Sequence, residues 1–223
     1  MTATTAVVRR IAVLVSGRGS NLQAMLDAIA IGRFDAEVVG VFSDRPDAAA
    51  LRRVPEGLRW SADARSFPFR EVFDAELAAA VAAVRPDWIV CAGYMRILGA
   101  GFVERFRARL LNIHPSLLPK YRGLHTHRRA LEAGDAEHGA SVHFVVPALD
   151  AGAVIAQARI PVREGDTPET LAARLLPVEH RLLVAVLALC VAGRVAERDN
   201  RAWIDGHALF TPLRLDCDAL LAS

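Results

Sequence analysis

Apolar runs and amphipathic stretches alternate along this chain. RIAVLVSG at 10–17 is a β-branched run closed by glycine, and NLQAMLDAIAIG at 21–32 sets Leu22, Met25, Leu26 and Ile29 at helical spacing before Gly32. This predicts a strand, a turn and a helix. EVVGVFS at 37–43 and DWIVCAGY at 87–94 have the unbroken apolar character of strands covered on both faces, with an amphipathic stretch at 70–85 between them. Residues 109–113 give a fourth strand, and HTHRRALEAG at 125–134 a short helix ended by Gly134. HGASVHFVV (138–146) and AVIAQARIPV (153–162) read as two strands joined by PALDAG. A long helical stretch opens at Thr167, Pro168 and Glu169 and ends at Gly193, with Pro177 expected to kink or divide it. RVAERDNRAWIDGHALF alternates and carries Asp-Gly turn chemistry, which predicts a terminal hairpin. The expected fold is α/β: a mostly parallel twisted sheet flanked by helices, with a long C-terminal helix and a terminal hairpin.

At 223 residues and 53% apolar, the chain has enough core-forming side chains for one large domain or two small ones. Its longest apolar stretch, Leu182 to Ala192, is too short to span a bilayer, and residues 2–10 lack the apolar centre of a secretory signal, so a cytoplasmic protein without membrane contact is expected. A net charge of +2 with scattered arginines makes no case for nucleic acid as a ligand. Cys91, Cys190 and Cys217 form no Cys-x-x-Cys pair and read as ordinary thiols.

Parallel α/β sheets bind ligands at the carboxyl ends of their strands. SGRGSNLQ lies at such an end. It leads through Gly17 and Gly19 into a helix whose expected N-cap is Ser20, with Gln23 completing a capping box; the free N–H groups and the helix dipole suit an anion such as phosphate. A tight turn with a well-made cap is the alternative, and Arg18 either adds charge there or points to solvent.

In RLLNIHPSLLPKYRG, Asn112 and His114 are two apart on an extended segment and point to the same side, and Pro115 and Pro119 stiffen the loop beyond them. An amide N–H₂ donates to a developing oxyanion, and an imidazole moves protons near neutral pH. The missing partner is a carboxylate. Asp150, between Leu149 and Ala151, has no core-packing explanation and is the candidate, with a turn-forming Asp as the alternative. His125 and His127 do not share a helical face and have no third ligand at useful spacing, so no metal is expected. His143 either joins the site or lies in the sheet. Arg70 and Arg96 meet anions or face solvent.

VSGRGSNLQA, AGYMRIL, NIHPSLLPKYRGLHTHRRALEAGD, HGASVHFV, LDAG with VIAQ, and EHRLL fall in order between about residues 10 and 207 and resemble the phosphoribosylglycinamide formyltransferases among the folate-dependent formyltransferases. The resemblance implies a single Rossmann-like formyltransferase domain over 1–223, with a nucleotide half at about 10–110 and a folate and catalytic half at about 111–210. It implies formyl transfer from 10-formyltetrahydrofolate, a co-substrate, to the amine of 5-phosphoribosylglycinamide in purine synthesis. Asn112, His114 and Asp150 match the family's catalytic trio, and Gly19, Ser20 and Asn21 its phosphate loop. Glu179 matches a carboxylate that contacts the nucleotide. Folate-site matches are Arg70, Met95, Arg96, Ile97, Leu98, Asn112, Val146, Pro147, Ala148, Leu149 and Asp150. Ala151 and Ala153 depart from the Gly and Pro that family members often carry. Partners are then two small molecules, and the protein a monomer or homodimer. Methionyl-tRNA formyltransferases share the Asn-x-His-Pro-Ser string but add a C-terminal domain, and formyltetrahydrofolate hydrolases add an N-terminal one; the chain's length is expected to fit neither. A non-catalytic sensor on the same fold is the reading from another class, and the intact trio argues against it.

Overall fold

The computed structural model describes residues 8–216 and 219–221. In chain order the elements are β1 (Arg9–Val15), α1 (Ser20–Ala30), β2 (Ala36–Ser43), β3 (Arg59–Ser61), α2 (Arg70–Ala83), β4 (Trp88–Cys91), α3 (Ala100–Arg105), β5 (Leu110–His114), α4 (Thr126–Glu132), β6 (Glu137–Phe144), β7 (Val154–Pro161), α5 (Pro168–Val191), β8 (Val195–Arg198), β9 (Arg201–Ile204), β10 (His207–Ala208), β11 (Leu213–Asp216) and β12 (Ala219–Leu221). The main sheet runs β12-β11-β7-β6-β5-β4-β1-β2-β3. Its strands are parallel from β3 across to β5, and β6 and β7 then pair antiparallel.

Period-2 alternation divides the core into two layers. In β1, Ile11, Val13 and Val15 pack with Leu22 and Met25 of α1 and with Leu175, Leu182 and Leu183 of α5. Ala12 and Leu14 face the opposite way, toward Phe73 and Leu77 of α2 and Phe102 of α3. In β5 the same alternation sends Leu111 and Ile113 to the α1/α5 layer and Leu110 to the α2/α3 layer. Asn112 and His114 therefore project on the side of Leu110, just past the end of its apolar cluster.

Two expectations need correction. Gly19, not Ser20, is the N-cap of α1: it is left-handed at φ 73°, no side chain caps the helix, and Gln23 instead bonds Asp27 and Arg53. A Cβ at Gly19 would lie 2.5 Å from that of Ala50, so the loop is built for glycine there. Pro177 does not divide the long helix; α5 is continuous over 24 residues, opened by a reciprocal Thr167–Thr170 capping box. An internal proline costs about 3 kcal/mol, which burial of Leu171, Leu175, Leu182 and Leu183 outweighs. The terminal hairpin is β8–β9, and β10 adds a third strand beyond the Asp205-Gly206 turn, where both residues have positive φ. Beyond it, β11 and β12 extend the main sheet past β7, an addition the pattern gave no reason to expect.

Among the described residues, no helix is long and apolar enough to cross a membrane. Cys91 and Cys190 are buried free thiols, and burial raises both, Cys91 to about 12. Cys217 lies outside the described residues.

The β6–β7 connection makes its bend at Gly152, where a Cβ would fall 1.8 Å from the Phe144 carbonyl oxygen. Gly152→Ala is expected to destabilise by about 3 kcal/mol, the upper part of the overpacking range, or roughly 6–12 °C in Tm at this chain size. Thermal melts test this, and an unchanged Tm would mean that the bend is softer than the contact implies.

Candidate active site

The pairing of β5 with β6 builds the polar end of the sheet. Asn112 stands opposite His143, and His114 opposite Ser141. All four face away from the α1/α5 layer, because Ala140, Val142 and Phe144 take the inward positions of β6. His143 is buried, and desolvation lowers it to about 4, so its ring is neutral near pH 7. Nδ1–H then donates to the Phe144 carbonyl at 2.7 Å, leaving a bare Nε2 that accepts from the Asn112 amide at 3.1 Å. That contact fixes which end of the amide is nitrogen, since the reversed amide would require a doubly protonated buried ring.

Asp150 reaches the same place from the β6–β7 loop, in a left-handed conformation at φ 46°. Its Oδ2 accepts the Gly123 N–H at 2.8 Å and lies 3.5 Å from His114 Nδ1; its Oδ1 lies 3.5 Å from the Asn112 amide nitrogen. The other nitrogen of His114, Nε2, sits 3.0 Å from the Tyr121 carbonyl. Both ring nitrogens thus face acceptors, and only the doubly protonated ring can donate to both. Asn112, His114 and Asp150 do meet. His143 is a fourth member that sequence reasoning left undecided; its alternating place in the strand was the available signal.

The loop carrying Tyr121 is pinned from below. Ser141 Oγ donates to the Ser116 carbonyl and accepts from Leu118 N, and Gln157 bonds the Leu118 carbonyl and Ser141. The peptide before Pro119 is cis. His138, bonded to His127 at 3.0 Å, also holds Pro115. Burial lowers both of these histidines, His138 to about 4. A depressed histidine contributes stability above its ordinary value of 6.5 and loses it as pH falls toward the folded value, here between about 6.5 and 4. Of the His-x-His pattern, His127 is the member in this pair. Among the described residues no three His, Cys, Asp or Glu side chains gather as a metal site.

Above the trio opens a cavity of about 500 Å³, walled by Met95, Arg96, Ile97, Leu98, Val146, Pro147 and Leu149. Met95 and Ile97 are more than half exposed and unpaired with the core, which suits a planar apolar ligand. Arg70 and Ala148 are not on this wall. Arg70 lines an adjoining groove that shares Ile97, Leu98 and Pro147, where it bonds Asp74 and the Ile97 carbonyl. Arg96 lies over the Phe73 ring, 5.0 Å from its centre.

Gly19, Ser20 and Asn21 open α1 just beyond the end of β1, and no side chain caps the first-turn N–H groups. Arg18 is exposed, and Arg53 holds its carbonyl. Glu179 of α5 accepts a hydrogen bond from Asn21, and burial raises its carboxyl to about 7.

Two outcomes are expected. Glu179 is raised above its ordinary 4.5, so the folded state holds its proton while the unfolded chain has lost it, and stability falls as pH rises from 4.5 to about 7. Glu179→Gln should therefore gain Tm relative to the parent at pH 8 compared with pH 5; an equal difference at both would refute the burial penalty. His143→Ala frees the Asn112 amide and should lower turnover by at least tenfold, with smaller loss in His143→Gln, whose amide oxygen can accept in place of Nε2. Steady-state kinetics of both variants decide.

The family model described as formyl transferase matches residues 9–187. The chain is 47% identical over 201 residues to the phosphoribosylglycinamide formyltransferase of Escherichia coli K12, covering 89% of this chain and 95% of that one. A solved phosphoribosylglycinamide formyltransferase from Coxiella burnetii superposes with TM-score 0.85 at 44% identity, over 91% of this chain and 96% of that one. A formyltetrahydrofolate deformylase from Pseudomonas syringae gives TM-score 0.79 at 26% identity, over 89% of this chain and 66% of that one.

Proposed function

The chain belongs to the formyl transferase family, and on that footing we propose that it moves a formyl group from 10-formyltetrahydrofolate to the amine of 5-phosphoribosylglycinamide. The products are 5-phosphoribosyl-N-formylglycinamide and tetrahydrofolate, in purine biosynthesis. The observation that carries the chemistry is the meeting of Asn112, His114 and Asp150 at the floor of one cavity.

In the proposed mechanism the neutral amine attacks the formyl carbon, forming a C–N bond while the carbonyl oxygen becomes an oxyanion. The second N–H of Asn112, held by Asp150 at only 3.5 Å, turns to that oxygen. Nε2–H of His114 joins it in place of the Tyr121 carbonyl, and the Asp150 carboxylate offsets the charge of the imidazolium. Collapse of the intermediate breaks the bond to the folate nitrogen, which leaves with the proton given up by the amine, relayed by water or His114. Holding both reactants in one cleft contributes further, up to roughly 7–11 kcal/mol in the best cases.

The phosphate is assigned to Gly19, Ser20 and Asn21 at the α1 N-terminus, whose uncapped N–H groups and dipole favour an anion; Glu179 contacts the nucleotide beside them. The folate lies along Met95–Leu98 and Val146–Asp150, with Arg70 and Arg96 as the nearby cations. On this reading the protein is a cytoplasmic monomer or homodimer, and neither membrane nor nucleic acid takes part.

His114→Ala and Asp150→Ala should each lower kcat by about 10²–10⁴, the range for lost proton-transfer and oxyanion stabilisation, with the KM of the phosphorylated substrate nearly unchanged. Absorbance of deformylated folate follows the reaction. Full activity in both variants would exclude these roles, and folate deformylation without any phosphorylated acceptor would identify a hydrolase instead.

A further inference from the structure

We infer that Ser16 and Asp44 are positioning residues that make occupancy of the phosphate loop and occupancy of the folate wall reinforce each other; the inference rests on the two-substrate reading of the site. Ser16 is the residue directly before the Gly17–Asn21 loop. Its N–H donates to the Gly93 carbonyl at 3.1 Å, its hydroxyl donates to Asp44 Oδ1 at 2.6 Å, and the same oxygen accepts the Met95 N–H at 2.8 Å. One serine therefore joins the ends of β1 and β2 to the segment that leaves β4.

The hydroxyl has one proton, and Asp44 takes it. The rotor is thereby fixed with a lone pair aimed at Met95, and the short contact to a carboxylate polarises the second bond. Ser16 is 3% exposed and Asp44 7%. Packing alone gives no reason for a polar pair at this depth, because the five residues before Ser16, Ile11 to Val15, are apolar and buried and a buried polar group is unfavourable unless its bonds are made.

Residues 92–99 have no repetitive structure of their own. Hydrogen bonds hold the segment at three places: at Ala92 by the Leu14 carbonyl of β1, at Gly93 and Met95 by Ser16, and at Ile97 and Gly99 by Arg70 and Asp74 of α2. The Ser16 clamp is continuous with the phosphate loop, which is itself tied down through Gly17 to Ala50 and through Arg18 to Arg53. Any shift of the loop onto a phosphate is transmitted through Ser16 to the Met95 amide, and folate pressing on Met95 acts back on the loop. Thermodynamic linkage makes the effect equal in both directions.

The test is the affinity of 5,8-dideazafolate, a folate analogue without a formyl group, measured with and without saturating 5-phosphoribosylglycinamide. The parent should bind the analogue about fivefold tighter in the presence of the nucleotide, the lower end of ordinary coupling. Ser16→Ala and Asp44→Ala should each bind both molecules singly while the ratio falls to about one. Asp44→Asn keeps an acceptor oxygen for the hydroxyl and should retain the ratio, an outcome that mere loss of stability would not produce. Equal affinities with and without nucleotide in the parent, or an undiminished ratio in Ser16→Ala, would overturn the inference. Failure of the parent to bind either molecule alone would instead count against the substrate assignment.

Discussion

Everything at this site depends on the register that sets Asn112 opposite His143. Across the parallel pair with β4 the neighbour of Asn112 is Cys91, an apolar partner that offers its amide no strong acceptor. Here the sheet turns antiparallel at the β5–β6 pair, and the cross-strand neighbour becomes a hydrogen-bond partner. A slip of one residue would exchange His143 for an apolar neighbour and turn the amide's partner into the core. The apolar side chains of Val142 and Phe144, fixed against the α1/α5 layer, prevent that slip. Hydrophobic packing on one face thus sets polar geometry on the other.

Asn112 and His114 were legible because spacing of two on an extended segment leaves little freedom. Asp150 was legible only as a candidate: its reach depends on a left-handed backbone and on Gly152 folding tightly against Phe144, neither of which can be read from the letters around it. His143 needed the register, a long-range property that one strand's pattern cannot supply. The capping box at Ser20 failed for a comparable reason. Ser-x-x-Gln is a sound local signal, but Ala50 and Arg53 crowd the loop from a distant segment and favour glycine as the cap. Pro177 likewise obeyed a local rule that tertiary burial overrode.

The buried titratable groups divide by their environment. His143 and His138 are kept neutral by desolvation, which is what allows each to accept a hydrogen bond through a bare nitrogen. His114 faces a carboxylate and a carbonyl and is placed to donate at both ends. Three imidazoles within one small region thereby have different hydrogen-bonding duties, set by burial and by what stands across from each nitrogen rather than by residue type.

The acceptor now facing His114 Nε2 belongs to the main chain of Tyr121, a residue held at φ 55° in a loop that also carries His125 at φ 60°. Replacing the tyrosyl ring leaves that oxygen in place. In the proposed mechanism that oxygen has to give way, and its freedom to do so is set by the torsional preferences of its own segment, which glycine or asparagine at the positive-φ positions would change.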